Sequence, residues 1–155
     1  MNYRLQDFKN YIRGRKAAVI GVGISNRPLI RRLCGLGCNV TAFDKLSGDD
    51  PVMSETIKEF ERENICINWS IGDNYLDGLA KEDYDIVFKT PKMRFETEAL
   101  QACKTGGSIL TTEMELFMSL CPAEIFAVTG SDGKTTTSTL TSEILRKAGY
   151  RVYLG

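Results

Sequence analysis

Apolar residues in this chain gather in short blocks separated by polar stretches of helical period. Lys16-Ala17-Ala18-Val19-Ile20, Asn39-Val40-Thr41-Ala42-Phe43 and Tyr84-Asp85-Ile86-Val87-Phe88 read as strands, and Ser108-Ile109-Leu110 as a shorter fourth. After the first block, Leu29, Ile30, Leu33, Cys34 and Leu36 form an apolar stripe at helical spacing, and similar spacing recurs around Ser54 to Arg62 and Glu96 to Lys104. This alternation of strand and helix predicts an α/β fold. Its parallel sheet should be covered on both faces, with ligands at the carboxyl ends of the strands.

Thr112-Glu113-Met114-Glu115 has the spacing of a capping box ahead of Leu116 and Phe117, which makes Glu115 a helix-start device rather than an acid catalyst. Glu113 and Glu115 lie two apart and do not share a helix face, so a paired-carboxylate mechanism is not indicated. Cys121-Pro122 then breaks the helix, since proline disfavours helix in the residue before it. The predicted domains are therefore residues 1–121 and 122–155. In the second, Ile125-Phe126-Ala127-Val128 reads as a buried strand and Leu140, Ile144, Leu145 and Ala148 as the apolar stripe of a helix.

Two glycine-rich turns carry the candidate chemistry. The first block runs into Gly21-Val22-Gly23-Ile24-Ser25, the opening of a Rossmann-like βαβ unit in which glycines permit a tight turn and close approach to a pyrophosphate at a helix N-terminus. Asn26 stands where the third glycine is usual and reads as the N-cap, with Pro28 just inside the helix. Asp44 ends the second strand about where an acidic residue meets a ribose or a base, although a turn cap explains it equally well.

The second turn is Thr129-Gly130-Ser131-Asp132-Gly133-Lys134-Thr135-Thr136, set between the predicted strand and helix. The longer phosphate-loop pattern asks for glycine at Val128, so the match is the shorter G-x-x-G-K-T. In such a loop Gly130, Ser131, Asp132 and Gly133 offer backbone N–H groups to phosphate, Lys134 supplies the catalytic cation, and Thr135 offers its hydroxyl to Mg²⁺.

Composition narrows the partners. Twenty basic and twenty acidic residues cancel, which gives no electrostatic case for nucleic acid or an anionic membrane. No apolar stretch approaches the length of a membrane span, and the start of the chain lacks the apolar segment of a signal peptide, so the expected location is cytoplasmic. Five cysteines without a C-x-x-C pair indicate neither a disulfide framework nor a zinc clamp. The absence of histidine removes Ser-His and Cys-His machinery from these residues.

Taken together, the Gly21-to-Ser25 turn, Asp44-Lys45, the Thr112-to-Phe117 helix and the Thr129-to-Thr136 loop resemble a Mur ligase along the whole chain. The resemblance implies a three-domain, ATP-dependent enzyme of peptidoglycan synthesis. Residues 1–121 would be its UDP-sugar-binding domain and residues 122–155 the start of its central ATP-binding domain. By position, Gly21, Gly23, Ile24, Ser25, Asp44, Lys45 and Thr90 would surround the UDP sugar, while Gly130 to Thr136 would hold ATP and Mg²⁺.

The glycine turn and the Glu113-Met114-Glu115 helix favour the member that joins D-glutamate to UDP-N-acetylmuramoyl-L-alanine through an acyl phosphate. Sister ligases adding another amino acid, or a non-catalytic dinucleotide-binding module, are the alternatives. Two departures from the family stand out, Thr90-Pro91-Lys92 for Ser-Pro-Gly and Asp132 for asparagine. The family's D-glutamate site and remaining catalytic groups would lie beyond Gly155, so no turnover is expected of these 155 residues alone.

Overall fold

The first four predicted strands form where the apolar blocks lie. The computed structural model describes residues 3–155, and the chain divides into two units, Met1–Pro122 and Ala123–Gly155. The first unit contains, in order, α1 (Tyr3–Ile12), β1 (Lys16–Ile20), α2 (Asn26–Gly35), β2 (Asn39–Asp44), α3 (Pro51–Arg62), β3 (Asn68–Ile71), β4 (Ile86–Phe88), α4 (Glu98–Thr105), β5 (Ile109–Thr111) and α5 (Glu113–Leu120). The five strands make one parallel sheet in the order β3-β2-β1-β4-β5.

Alternation along the central strands feeds two separate cores. Ala17 and Val19 of β1, Val40 and Ala42 of β2 and Ile86 and Phe88 of β4 join Leu29, Ile30 and Leu33 of α2, Met53 and Phe60 of α3, and Ile12 of α1. On the other face, Ala18, Ile20, Phe43 and Val87 pack with Leu79, Tyr84 and Leu100 and Cys103 of α4. Each large side chain buried this fully contributes about 1.5–3 kcal/mol, so both layers are held firmly.

The helix starts follow from local chemistry. Asp50 caps α3 by accepting N–H groups from Val52 (2.9 Å) and Met53 (3.2 Å), with Pro51 in the first turn. The capping box of α5 is complete: Glu115 N–H donates to the Thr112 hydroxyl (3.1 Å), and Thr112 N–H donates to the Glu115 carboxylate (2.8 Å).

Several expectations are corrected. α1 and β3 were absent from the pattern reading, and α3 begins at Pro51 rather than Ser54. Asn26 is not the N-cap of α2. Ser25 holds that position, and Asn26 lies inside the helix. Residues 125–128 form no strand, because a strand exists through its ladder and none of the described strands pairs with them. In the second unit the ordered element is α6 (Lys134–Lys147), and Phe126 is 70% exposed, with Leu140 and Ile144 exposed as well.

Asp85 closes the amino end of the β1/β4 pair. Its carboxylate accepts the Lys16 N–H (2.9 Å) and a guanidinium N–H of Arg15 (2.5 Å). These contacts, the backbone bond first, hold its pKa below the ordinary carboxylate value. A depressed carboxylate stabilises the fold above its unfolded pKa of about 4 and loses that contribution as pH falls through the lower folded value. Asp85→Asn is therefore expected to cost about 1 kcal/mol at pH 7. Its melting curve should converge on that of the native chain as pH falls through the depressed folded value of Asp85. Thermal melts across that range check this, and a constant gap at all pH values would refute it.

All five cysteines are free thiols. Burial pushes Cys38 up to about 12 and raises Cys34 and Cys103 as well, whereas Cys66 is exposed. Titration with a disulfide reagent at about pH 8 is expected to modify Cys66 first and to reach Cys38 and Cys103 only on unfolding. Rapid modification of Cys38 in the native chain would contradict that.

Candidate functional site

β1 leads by way of α2 to β2 and then β3 on one side, while β4 and β5 lie on the other, so the strand order reverses between β1 and β4. In open α/β sheets this reversal leaves a crevice outside the carboxyl ends of the two strands. A cleft of about 440 Å³ lies there. Gly21, Gly23, Ile24, Ser25 and Asn26 line it after β1, Asp44 after β2, Lys89, Thr90 and Pro91 after β4, and Thr112, Glu113 and Met114 after β5.

The turn after β1 is fixed by hydrogen bonds that leave one set of donors open. Gly21 adopts a φ of +83°, and a Cβ on it would lie 2.7 Å from Cγ2 of Thr90. Gly21 N–H donates to Phe43 O (2.7 Å), and the Asn26 side-chain amide donates to Ile20 O (3.2 Å) and Gly21 O (2.7 Å). Asn26 thus satisfies the carbonyls at the strand end instead of capping the helix. Among the described residues, the N–H groups of Gly23, Ile24 and Ser25 meet no protein acceptor. They open toward the start of α2, the arrangement that favours an anion.

Asp44 joins two segments of the rim. One carboxylate oxygen accepts Val22 N–H (2.7 Å) and the other accepts Leu46 N–H (3.0 Å). The acid serves as a turn cap and also lines the cleft. Ile24, an apolar side chain left 90% exposed, stands at the same cleft. Of the residues expected around a UDP sugar, Gly21, Gly23, Ile24, Ser25, Asp44 and Thr90 come together, whereas Lys45 is exposed and is not among the lining residues.

The sequence pattern does not mark Asn26, Lys89 or the Thr112-to-Met114 segment as lining residues. Lys89 is only 6% exposed. Its ammonium donates to Met93 O (3.0 Å) and Thr90 O (3.4 Å) and sits 4.1 Å from the centre of the Phe95 ring. The available signal was its place directly after an apolar strand and before Thr90-Pro91.

In the second unit, Gly130 (φ +153°) and Gly133 (φ +73°) bend residues 130–133 into a loop that enters α6. The Lys134 ammonium folds back on that loop, donating to Gly130 O (2.6 Å) and Ser131 O (3.0 Å). Among the described residues, the N–H groups of Ser131 through Thr136 meet no protein acceptor, and Thr137 N–H is the first to bond back, to Gly133 O (2.9 Å). Six consecutive free donors beside an ammonium make a cradle for an anion rich in oxygen atoms. Among the described residues, no side-chain hydrogen bond occupies the hydroxyl of Thr135 or Thr136.

No family model matches the chain. Known ligases do. The chain is 48% identical over 155 residues to UDP-N-acetylmuramoylalanine–D-glutamate ligase of Acetivibrio thermocellus, 48% to that of Clostridium novyi and 46% to that of Clostridium acetobutylicum. In each case the match covers 100% of this chain and 32% of the relative, so the chain spans about a third of the length of these ligases. Among solved structures, shikimate dehydrogenase from Aquifex aeolicus superposes with a TM-score of 0.42 at 14% identity, covering 79% of this chain and 55% of that one. That likeness is too coarse to carry an argument. Along its whole length the chain is thus similar to the N-terminal third of UDP-N-acetylmuramoylalanine–D-glutamate ligases.

Proposed function

We propose that these residues form the UDP-sugar-binding domain and the beginning of the ATP-binding domain of a ligase that adds D-glutamate to UDP-N-acetylmuramoyl-L-alanine. The observation that carries this reading is the 48% identity, over the full length of the chain, to ligases so named. The cleft at the β1/β4 reversal supports it, because it combines free amides for a diphosphate with an exposed apolar side chain for a flat base.

In this reading Gly23, Ile24 and Ser25 bind the UDP moiety through backbone N–H groups and the Ile24 side chain, while Gly21, whose own N–H is held by Phe43 O, lets the turn come close to the ligand. Asp44 orients the turn, and Thr90 closes the opposite wall. Lys45 is assigned to the rim. Residues 1–121 are the UDP-sugar domain and residues 122–155 the ATP portion.

The loop from Gly130 to Thr136 holds the ATP phosphates. Its six free N–H groups fit a polyphosphate, and Lys134 is the cation that would leave Gly130 O and Ser131 O for a phosphate oxygen. Thr135 would contribute its hydroxyl to Mg²⁺. Among the described residues, no cluster of three or more His, Cys, Asp or Glu could hold a metal ion. When bound, ATP with Mg²⁺ would supply the phosphoryl group that turns the substrate carboxylate into an acyl phosphate with release of ADP, and the amine of D-glutamate would displace phosphate from it to form the amide. The residues at hand bind and neutralise charge, and the chain by itself is not expected to complete the reaction. The location proposed is cytoplasmic, in keeping with the absence of any described helix long and apolar enough to cross a membrane.

Isothermal titration tests the assignment. Binding of UDP-N-acetylmuramoyl-L-alanine, with no binding of NAD, is the expected result. NAD binding without UDP-sugar binding would replace this reading with a dinucleotide-binding module.

A further inference from the structure

Lys89 is a buried cation with no counter-ion among the described residues. None of the ion pairs among the described residues includes it, although only 6% of it is exposed to solvent. Its partners are two neutral carbonyls, one of them at 3.4 Å, and the face of Phe95. Withdrawing an ammonium from water is costly, and neutral partners offset that cost only partly. A structural role alone would be met at lower cost by methionine, which has similar length and no charge.

Its position gives the charge a use. Lys89 directly follows β4 and its N–H donates to Thr111 O of β5 (2.9 Å), so the side chain starts from a point tied to the sheet. It lines the same cleft as Gly23, Ile24 and Ser25, whose N–H groups meet no acceptor among the described residues. The other charged groups lining that cleft are Asp44, whose two oxygens already accept Val22 and Leu46 N–H, and Glu113, in the first turn of α5. Among the residues lining the cleft, Lys89 is thus the cation, and it shares that lining with the free amides of Gly23, Ile24 and Ser25.

We infer that Lys89 is a ligand-binding residue, the counter-charge for the phosphate groups of the nucleotide that enters this cleft. The inference deepens the UDP-sugar reading and rests on it for the identity of the ligand. On binding, the ammonium exchanges its long bond to Thr90 O for a phosphate oxygen while keeping Met93 O, so it discriminates between ligands by their anionic charge. It has no role in recognising the base.

The test uses the 155-residue chain, with uridine, UDP and inorganic pyrophosphate titrated against native protein, Lys89→Met and Lys89→Arg. For native protein, UDP should bind at least about tenfold more tightly than uridine, and added salt should narrow the gap. Lys89→Met should lose that factor of about ten or more for UDP and pyrophosphate while uridine affinity stays within about twofold and the melting temperature does not fall. Lys89→Arg should recover most of the loss. Equal UDP affinity in native protein and Lys89→Met would overturn the inference and leave the UDP-sugar reading standing. Equal loss of uridine and UDP with a lowered melting temperature would overturn it too, showing Lys89 to be only a tether for the 90–95 loop. Pyrophosphate binding that depends on Lys89, without uridine or UDP binding, would keep the anion site and remove the UDP-sugar reading. Binding of none of the three would remove both.

Discussion

Gly21→Ala is expected to destabilise the first unit by about 2–5 kcal/mol. Two penalties combine. A side chain at a φ of +83° costs about 1–2 kcal/mol. Forcing a Cβ to within 2.7 Å of Thr90 Cγ2 costs about 1–3 kcal/mol more, because the methyl of a β-branched residue cannot swing aside freely. The parts can be separated by a double-mutant cycle. Thr90→Ser deletes Cγ2 but keeps the hydroxyl that accepts Lys92 N–H, so the second penalty should vanish in the double variant while the first remains. Urea unfolding measures both, and a Gly21→Ala cost that is the same in either background would show that the methyl contact is not its cause.

Gly23 provides the control. It has no positive φ, and a Cβ there meets nothing within 4 Å, so Gly23→Ala should change stability by less than about 0.5 kcal/mol. Gly23 nonetheless lines the cleft, and UDP affinity should fall about tenfold, the equivalent of one lost contact of about 1.4 kcal/mol. One glycine is required by the fold and the other by its guest.

The second large effect belongs to the loop before α6. Lys134→Met is expected to weaken Mg²⁺·ATP binding by about 10–100-fold, since a charge-assisted hydrogen bond to phosphate contributes about 1.5–3 kcal/mol. AMP binding should be unaffected, because the lysine serves the outer phosphates. Folding should be nearly unchanged, as the ammonium's present partners, Gly130 O and Ser131 O, are exposed and can turn to water. Titration of the chain with both nucleotides gives the comparison. Unaltered ATP affinity in the variant would take Lys134 out of the phosphate site.

How much of this was written in the residue order depends on how many faces an element buries. β1, β2 and β4 are covered on both sides, which selects mostly apolar runs, and these stand out from the chain around them. β3 lies at the sheet edge and is only half-buried, so Asn68-Trp69-Ser70-Ile71 carries a diluted alternation that merges with the loop before it. α1 shows the same weakness, with Phe8 only partly buried against the core.

Residues 125–128 illustrate the opposite failure. Ile125-Phe126-Ala127-Val128 has strand composition, but composition cannot supply the neighbouring backbone that a ladder needs. The capping box at Thr112 was legible because its two partners are three residues apart. The bond from Asn26 to the strand-end carbonyls, the carboxylate link between Asp44 and Val22, and the burial of Lys89 were not. Each depends on segments that meet only after the sheet has formed.

Asp44 reaches across 22 positions to grip the amide of Val22 while holding Leu46 with its other oxygen. The β1/β2 side of the crevice therefore owes its shape to a link made during folding, and a side chain that cannot accept both amides at position 44 would leave that rim without its brace.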